Sequence, residues 1–262
     1  MALDFSMTPE LKDYADTTIV PGVTVKDLTF VSAGALWSEG LIAPSAADTF
    51  AANSSVDLFS GAIGDIGSQA FTTNGLTRSQ TNMLRGSGQM DANICFVGYA
   101  MSCFVAKRNL ATLATTTTFS LLANPFLMQA VLDNFAIEHQ QGEDRITVLG
   151  PLGLYPAASG AWAVAAQGLS AVSYTAVTST ASVGPLGVRA AGVNNHRPDG
   201  RILRRLPFPI TFLPQIGTRL TVKNGGAFAT GETTDADGIA SSEFLSVKLT
   251  LHGYKFTGLV RG

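Results

Sequence analysis

The feature of this sequence that most constrains its fold is a long stretch without a charged side chain. From Ile146 to Val188 the chain contains no Asp, Glu, Lys or Arg. Polar and turn-forming residues interrupt its apolar runs well short of the roughly 18 residues that a membrane-spanning helix needs. About a quarter of a typical globular chain is charged, whereas 14% of this chain is. We therefore expect much of this surface to face other protein, as in a subunit of an assembly.

The composition indicates an all-β protein with a sizeable core. Hydrophobic residues make up 46% of the 262 residues, and the 27 Gly and 11 Pro suit many strands joined by turns. The formal net charge is −2, whereas a protein that wraps nucleic acid by neutralising phosphates is markedly basic. The charge balance therefore excludes such a wrapper, and we expect no direct sequence-specific contact with nucleic acid.

The first residues predict a short helix in an N-terminal arm that covers residues 1–20. Thr8 is a suitable N-cap and Pro9 suits the first helical position, so the helix would run to about Tyr14. The start of the chain lacks the basic and hydrophobic regions of a signal peptide. We expect a protein that is made in a cytoplasm and stays there or leaves by lysis.

Several segments carry clear secondary-structure patterns. In the segment Ile94–Val105 apolar residues occupy odd-numbered and even-numbered positions alike, which predicts a strand covered on both faces. The segment Asn124–Leu132 predicts a helix, and the segments Phe135–His139 and Arg145–Leu149 predict a pair of strands after it. The stretch from Phe30 to about Gly75 is rich in Ala, Ser and Gly, which favours short strands and long loops.

The last quarter of the chain has the clearest β pattern. Thr218–Lys223 alternates, and Leu245–His252 places apolar residues on one face and polar residues on the other. Gly253 shifts the phase of that alternation, which predicts a bulge. Many short strands with one helix near the middle favour two β-sandwich halves.

The usual catalytic signatures are missing, so we expect no enzyme. The chain has no Gly-x-Ser-x-Gly elbow, no His-Glu-x-x-His, no phosphate-binding loop and no Cys-x-x-Cys. His139 and His252 lie on predicted strands, and we interpret both as ordinary surface histidines. Cys95 and Cys103 lie in one apolar run, which favours buried free thiols over a redox or metal pair.

Two clusters of charged residues have more than one interpretation. Asp235 and Asp237, followed by Gly238, are weakly similar to a calcium loop, although an Asp-Gly turn explains them better and we expect no cofactor. The one basic cluster could contact phosphates of lipid headgroups or genome. It could equally be a solvated loop, or form salt bridges between subunits. Its members are Arg197, Arg201, Arg204 and Arg205, with His196 close by.

Three segments together resemble a known family of shell proteins. The proline-flanked segment Leu206–Pro214 precedes the strand pattern Thr218–Val222, and the last strand pattern ends in Leu251-His252-Gly253. This layout resembles the double jelly-roll major capsid proteins of tailless, icosahedral, membrane-containing bacteriophages. The segment Asn82–Gly88, leading into Ile94–Val105, resembles the corresponding strands of a first barrel.

The resemblance implies an all-β fold of two eight-stranded jelly-roll barrels in one chain, after a short N-terminal helix or arm. The first jelly roll would cover residues 21–130 and the second residues 131–262. The implied function is that of a major capsid protein located in the virion. It would assemble into homotrimeric, pseudo-hexagonal capsomers that tile an icosahedral shell over an internal membrane. It would also contact other virion proteins such as a vertex protein.

Particular residues are candidates for those contacts. We expect Phe104, Trp162 and Tyr174 to line subunit interfaces, and Arg201, Arg204 and Arg205 to face phosphates or a viral lipid membrane. The competing interpretation is a β-sandwich module that binds carbohydrate or a receptor, such as a lectin or spike. Trp37 and Trp162 would then be candidate binding residues.

Overall fold

The computed structural model describes residues 14–45, 48–65, 75–109, 125–155, 165–166, 190–191, 204–230, 239 and 243–258. Strands dominate this part of the chain, with one helix and two short 3-10 turns at Val25–Asp27 and Leu152–Leu154. In chain order the elements are β1 (Thr18–Val20), β2 (Val23–Thr24), β3 (Thr29–Ile42), β4 (Thr49–Phe50), β5 (Ser55–Leu58), β6 (Ile94–Asn109), α1 (Pro125–Asn134), β7 (Phe135–Gln141), β8 (Thr147–Pro151), β9 (Ala165–Ala166), β10 (Ala190–Ala191), β11 (Arg204–Phe212), β12 (Thr218–Asn224), β13 (Phe228–Ala229) and β14 (Glu243–Thr257).

Eight of these strands form two four-stranded antiparallel sheets. The large sheet has the order β11-β6-β14-β3, and the small sheet has the order β5-β12-β7-β8. The remaining described strands form three two-stranded pairs, β1 with β2, β4 with β13 and β9 with β10. The two four-stranded sheets pack face to face, because side chains from both belong to one buried cluster.

The core between the sheets is rich in aromatic residues. Phe59 packs on Phe212 of the large sheet with ring centroids 5.3 Å apart, and Phe50 packs on Phe135 of the small sheet at 5.8 Å. Edge-to-face and tilted contacts at these distances stabilise a core beyond the area that they bury. Helix α1 adds its own buried residues to this cluster: Leu127, Met128, Val131 and Leu132.

Strand β3 runs for 14 residues, which the prediction of short strands and long loops did not anticipate. Its many small residues weaken the apolar/polar alternation that would predict a long strand. The structure shows why one of them, a glycine, is needed. A Cβ at Gly40 would lie 2.7 Å from side-chain atoms of both Val56 and Leu58. Glycine therefore lets the small sheet approach the large one closely.

The prediction for β6 is confirmed: the strand is covered on both faces. Phe96 and Met101 face the core between the sheets, whereas Cys95 and Val97 belong to a second buried cluster. The register of β6 against β14 shifts between His252 and Gly253, which confirms the predicted bulge. A Cβ at Gly253 would overlap the Val97 carbonyl oxygen, so only glycine fits there.

The second cluster lies on the outer face of the large sheet, beneath residues 14–28. Ile19, Val25 and Leu28 from this segment pack against Tyr254 and Phe256 of β14 and against β6. We call residues 14–28 the N-terminal cover. The predicted helix between Thr8 and Tyr14 lies outside the described residues, apart from Tyr14 itself.

Three other local predictions are confirmed: a helix, a strand pair and two buried thiols. Helix α1 begins at Pro125 and ends at Asn134, and β7 and β8 form the predicted antiparallel pair. Cys95 and Cys103 are buried as thiols and not joined in a disulfide, as expected. Burial raises the pKa of the Cys95 thiol to about 12 and that of Cys103 further.

The all-β class is confirmed, but two jelly-roll barrels are not, and the described sheets do not close into a barrel. β14, from the predicted second half, pairs with both β3 and β6 from the first. In the small sheet, β12 likewise lies between β5 and β7. The described strands therefore do not separate at residue 130. Alternation in a sequence indicates which face of a strand is buried but not which strands become its neighbours.

Candidate assembly surface

Three large apolar side chains are exposed at one edge of the small sheet. Ile146, Val148 and Leu154 have exposed fractions of 49%, 63% and 42%. Ile146 and Val148 lie in and beside β8, and Leu154 closes the 3-10 turn that follows it. We call these three residues the apolar edge. They belong to the charge-free stretch that opened the sequence analysis, and they are its exposed large apolar residues within the described part.

Local backbone geometry presents this edge to solvent. The turn before β8 passes through Gly142, whose φ of +56° suits glycine. The register of β8 against β7 then shifts so that Gly150 pairs with Ile137 while Val148 pairs with Glu138. Gly150 has a φ of +123°, and its missing side chain leaves room for Leu154.

Buried neighbours hold the strand in place. Leu149 is buried in the core, and its carbonyl oxygen accepts a hydrogen bond of 2.8 Å from the Tyr155 hydroxyl. Leu152 is also buried, so the segment on each side of Gly150 is anchored. The exposure of Val148 therefore belongs to a well-packed strand rather than to a loose loop end.

Strand β8 is an edge strand, and it has β7 as its one strand neighbour among the described residues. Such an edge presents unpaired backbone groups and is a template for pairing with another chain. The other edges of the sandwich differ. The edge strand β11 carries Pro207 and Pro209, which cannot donate to a ladder, and β5 is a four-residue strand with the polar residues Ser55 and Asp57.

The remaining edge strand, β3, is covered by residues 75–82, which we call the strap. The Trp37 amide donates to Asn82 Oδ1 over 2.8 Å, and Asn82 Nδ2 donates to the Ala35 carbonyl over 2.8 Å. The Glu39 amide donates to the Gln80 carbonyl at 2.8 Å. The strap thus hydrogen-bonds to edge groups of β3, whereas no described strand lies on the free side of β8.

A buried ion pair lies on the outer face of the large sheet near the strap. Arg108 Nη2 donates to Glu39 Oε2 over 2.9 Å, and the Ser246 hydroxyl donates to Glu39 Oε1 over 2.6 Å. Both charged side chains are almost fully buried. Burial raises the pKa of the Glu39 carboxyl, while Arg108 and Ser246 oppose that rise. Lys248, whose Nζ donates to the Ser79 carbonyl, has its pKa lowered by burial.

The outer face of the small sheet is polar instead. Arg219 bonds to Gln140 and approaches Asp57, and Lys223 lies 3.8 Å from Glu138. These residues line a shallow cleft of about 380 Å³. Each charge faces a partner of opposite sign or a polar group, which is typical of a solvated sheet face.

The structure places a few of the predicted contact residues. Phe104 lies half-buried on β6, opposite Lys248, on the outer face of the large sheet. Arg204 begins β11, and Arg205 is exposed and pairs with Ala100. The interface role of Phe104 and the phosphate role of Arg204 and Arg205 stay predictions. The other predicted residues lie outside the described residues: Trp162, Tyr174, Arg197, Arg201, His196, Asp235 and Asp237.

His139 differs from its prediction as a surface residue. It is 9% exposed and its ring lies 5.7 Å from that of Phe208. It pairs with the buried Leu220, so it faces the core. Its Nε2 has no hydrogen-bond partner within the described residues, and burial lowers its pKa, partly opposed by Asp144. His252 lies on the outer face as predicted and is half-buried, and burial lowers its pKa too.

Across the described ranges, no three His, Cys, Asp or Glu side chains come together as a metal site would require. No helix in those ranges has the length and hydropathy to cross a membrane.

Sequence analysis did not single out the three residues of the apolar edge. The available signal was the alternation Ile146-Thr147-Val148 at the very start of the charge-free stretch. Comparison with known proteins adds no assignment, since no family model, curated protein or solved structure matches this chain.

Proposed function

We propose that the chain is a major capsid protein, a structural subunit that self-assembles into trimeric capsomers of an icosahedral shell. The observation that carries the proposal is the strand order. If the eight sheet strands are lettered B to I along the chain, the sheets read G-D-I-B and C-H-E-F. This is the order of a jelly roll, a fold common in viral capsids and also in lectins.

The proposal departs from the resemblance in one respect. The order of the described strands fits one jelly roll that draws on both halves of the chain, rather than two in succession. A trimer of chains with two jelly rolls each would contain six rolls, which explains a pseudo-hexagonal outline. A trimer of chains with one jelly roll each would contain three, so the pseudo-hexagonal outline is no longer expected. The trimer, the contacts with a vertex protein and the underlying membrane come from the family resemblance and remain proposals.

The apolar edge supports a role in assembly independently of the strand order. Ile146, Val148 and Leu154 expose apolar surface on a strand end that is otherwise well packed. Burying apolar area stabilises association by roughly 25 cal/mol per Å². Ordering of the partners offsets part of this gain, so specific interfaces bury on the order of 1,000 Å² or more. The apolar edge would supply one part of such an area.

Electron microscopy tests the proposal directly. The full chain would be expressed in bacteria, and the high-mass fraction of the lysate would be imaged after negative staining. Closed shells or regular arrays are the expected result. Protein that is well folded but remains dispersed as single subunits at all concentrations would count against the capsid function.

The basic cluster provides a separate test of membrane contact. The proposal places Arg201, Arg204 and Arg205 toward lipid phosphates. Replacing Arg204 and Arg205 by Ala should lower the lipid content or the yield of virus particles. Unchanged yield and lipid content would remove the membrane contact while leaving the capsid function intact.

A second candidate is a carbohydrate- or receptor-binding module, and the polar cleft on the small sheet favours it. Asp57, Glu138, Gln140 and Arg219 line this cleft, and such side chains suit sugar hydroxyls. Trp37 does not line it, because its Nε1 donates to the Arg78 carbonyl in the strap. Binding of the monomeric chain to a glycan array, abolished by Glu138→Ala, would favour this candidate.

A further inference from the structure

We propose that two copies of the chain pair through β8, antiparallel, about a two-fold axis that passes at Thr147. The inference rests on the proposed function as an assembly subunit and names one of its contacts. The pairing would join the small sheets of two subunits into one continuous eight-stranded sheet. It would serve as a contact between capsomers, since a trimer axis cannot supply a two-fold contact.

The first argument is the difference between the edges of the sandwich. Strap hydrogen bonds occupy the edge of β3, prolines interrupt β11, and β5 is short and polar. Proteins blunt their edge strands with such features to prevent pairing. Strand β8 instead carries exposed β-branched residues, with Val148 63% exposed. Of the four edges that the described strands form, β8 is the one suited to receive another strand.

The second argument is that the sequence of β8 is complementary to itself. A two-fold axis at Thr147 puts Ile146 of one copy opposite Val148 of the other, and the same pair recurs on the far side of the axis. Apolar β-branched residues directly opposite each other are favourable cross-strand pairs. Contacts of this kind, in which the same patch is used on both subunits, are the usual form of a two-fold interface.

The third argument is charge. The turn before β8 carries Glu143, Asp144 and Arg145, which are exposed. In the proposed register this turn lies beside the Pro151 end of the second copy's β8 rather than beside the second copy's own turn. Like charges therefore do not meet. A parallel pairing in the same register would place Glu143 opposite Glu143 and Asp144 opposite Asp144, which is unfavourable.

A cysteine at the axis tests this pairing. Residues directly opposite in antiparallel strands have Cα atoms about 4.5–5.5 Å apart, which lies within the range that a disulfide spans. Thr147→Cys should therefore form a disulfide-linked dimer under mild oxidation, read on a non-reducing gel. The background is low because Cys95 and Cys103 are buried. The matched control is Ser55→Cys, an exposed position on the opposite edge of the same sheet, which should stay monomeric on the gel.

The outcomes separate this contact from the proposed function. The mass of each variant is measured in parallel by light scattering. Oligomers without preferential linking at Thr147→Cys overturn the β8 pairing and leave the capsid proposal standing. A monomer that forms no disulfide overturns both. Linking of Thr147→Cys to a different protein also overturns the pairing with a second copy.

A substitution that needs no oxidation gives a second readout. Val148→Lys adds a charge to the proposed contact and should weaken association at least several-fold in sedimentation. Leu84→Lys is its control, because Leu84 is 69% exposed and belongs neither to β8 nor to its neighbour β7. Equal association of the two variants overturns the pairing.

Discussion

The two sheets of the sandwich meet their surroundings differently. The large sheet is packed on both faces over much of its length, with the N-terminal cover at one end and a buried ion pair near the strap. The small sheet is packed on one face and carries charged and polar residues on the other. Their strands differ accordingly, since β6 is apolar on both parities whereas β12 alternates. A sheet that is covered on both faces therefore has strands that are apolar at successive positions, whereas a sheet with one open face has strands that alternate between apolar and polar residues.

Dividing the chain has the largest expected effect, because both sheets take strands from both halves. We expect fragments 1–130 and 131–262, expressed separately, to be unfolded by circular dichroism and amide NMR dispersion. Each fragment would lack strands that lie in the middle of a sheet: β14, β12 and β7 in the first case, β6 in the second. The intact chain is the control. A fragment 131–262 that folds cooperatively by itself would contradict the shared sandwich.

Breaking an ion pair should lower the free energy of unfolding far more on the outer face of the large sheet, which is covered, than on the outer face of the small sheet, which is exposed to solvent. Arg108→Ala leaves the Glu39 carboxylate buried without its cation, and we expect it to lower the free energy of unfolding by about 3–5 kcal/mol. Arg219→Ala removes an exposed cation near Asp57 and should cost no more than about 1 kcal/mol. Urea denaturation of both variants measures the contrast. Equal losses would show that the two faces do not differ in this way.

Loosening the strap should have an intermediate effect. Asn82→Ala removes two hydrogen bonds, to the Trp37 amide and the Ala35 carbonyl. We expect a loss of about 1–3 kcal/mol and faster hydrogen exchange at the Trp37 amide. Gln140→Ala, on the open face, is the control and should change stability by about 0.5 kcal/mol or less. An unchanged hydrogen-exchange rate at the Trp37 amide would mean that the Asn82 hydrogen bonds of the strap do not protect the edge of β3.

The smallest expected effect concerns His139. Burial lowers its pKa in the folded state, so the neutral imidazole is favoured by folding. Its contribution to stability is complete above the unfolded pKa of about 6.5 and is lost as the pH falls below that value toward the folded pKa. One proton gives a slope of at most about 1.4 kcal/mol per pH unit.

The variant His139→Leu isolates this effect. We expect its stability to fall less steeply than that of the unmodified chain as the pH is lowered from about 7 to 5. His252 titrates in the same direction but is present in both proteins, so it cancels in the difference. Identical slopes in urea melts across this range would contradict the prediction.

The comparison also explains what the sequence could predict. The alternation predicts β12 to within one residue, and α1 is predicted with its Pro125 start. The pattern Leu245–His252 predicts the middle of β14, which extends to Glu243 and Thr257. β3 was missed as a long strand because Gly40 and its small neighbours weaken the pattern, although packing against Val56 and Leu58 requires them. Strand order could not be predicted, because pairs such as β14 with β3 join residues about two hundred positions apart.

The candidate site was predictable only in outline. The charge-free stretch indicated a surface that faces protein, and its described part is exposed at Ile146 and Val148. Which edge of which sheet carries those residues depends on β7, β8 and the bulge at Gly150, and these follow from tertiary pairing. The burial of His139 was missed for a similar reason, since its face is set by the register against Leu220.

The most direct test of the central claim, that this chain is an assembly subunit, is the mass of the purified full chain in solution. Light scattering on a sizing column without detergent would compare that mass with the 27.3 kDa of one chain. The account predicts a stable trimer or larger closed particles. A monodisperse monomer at all accessible concentrations would contradict it.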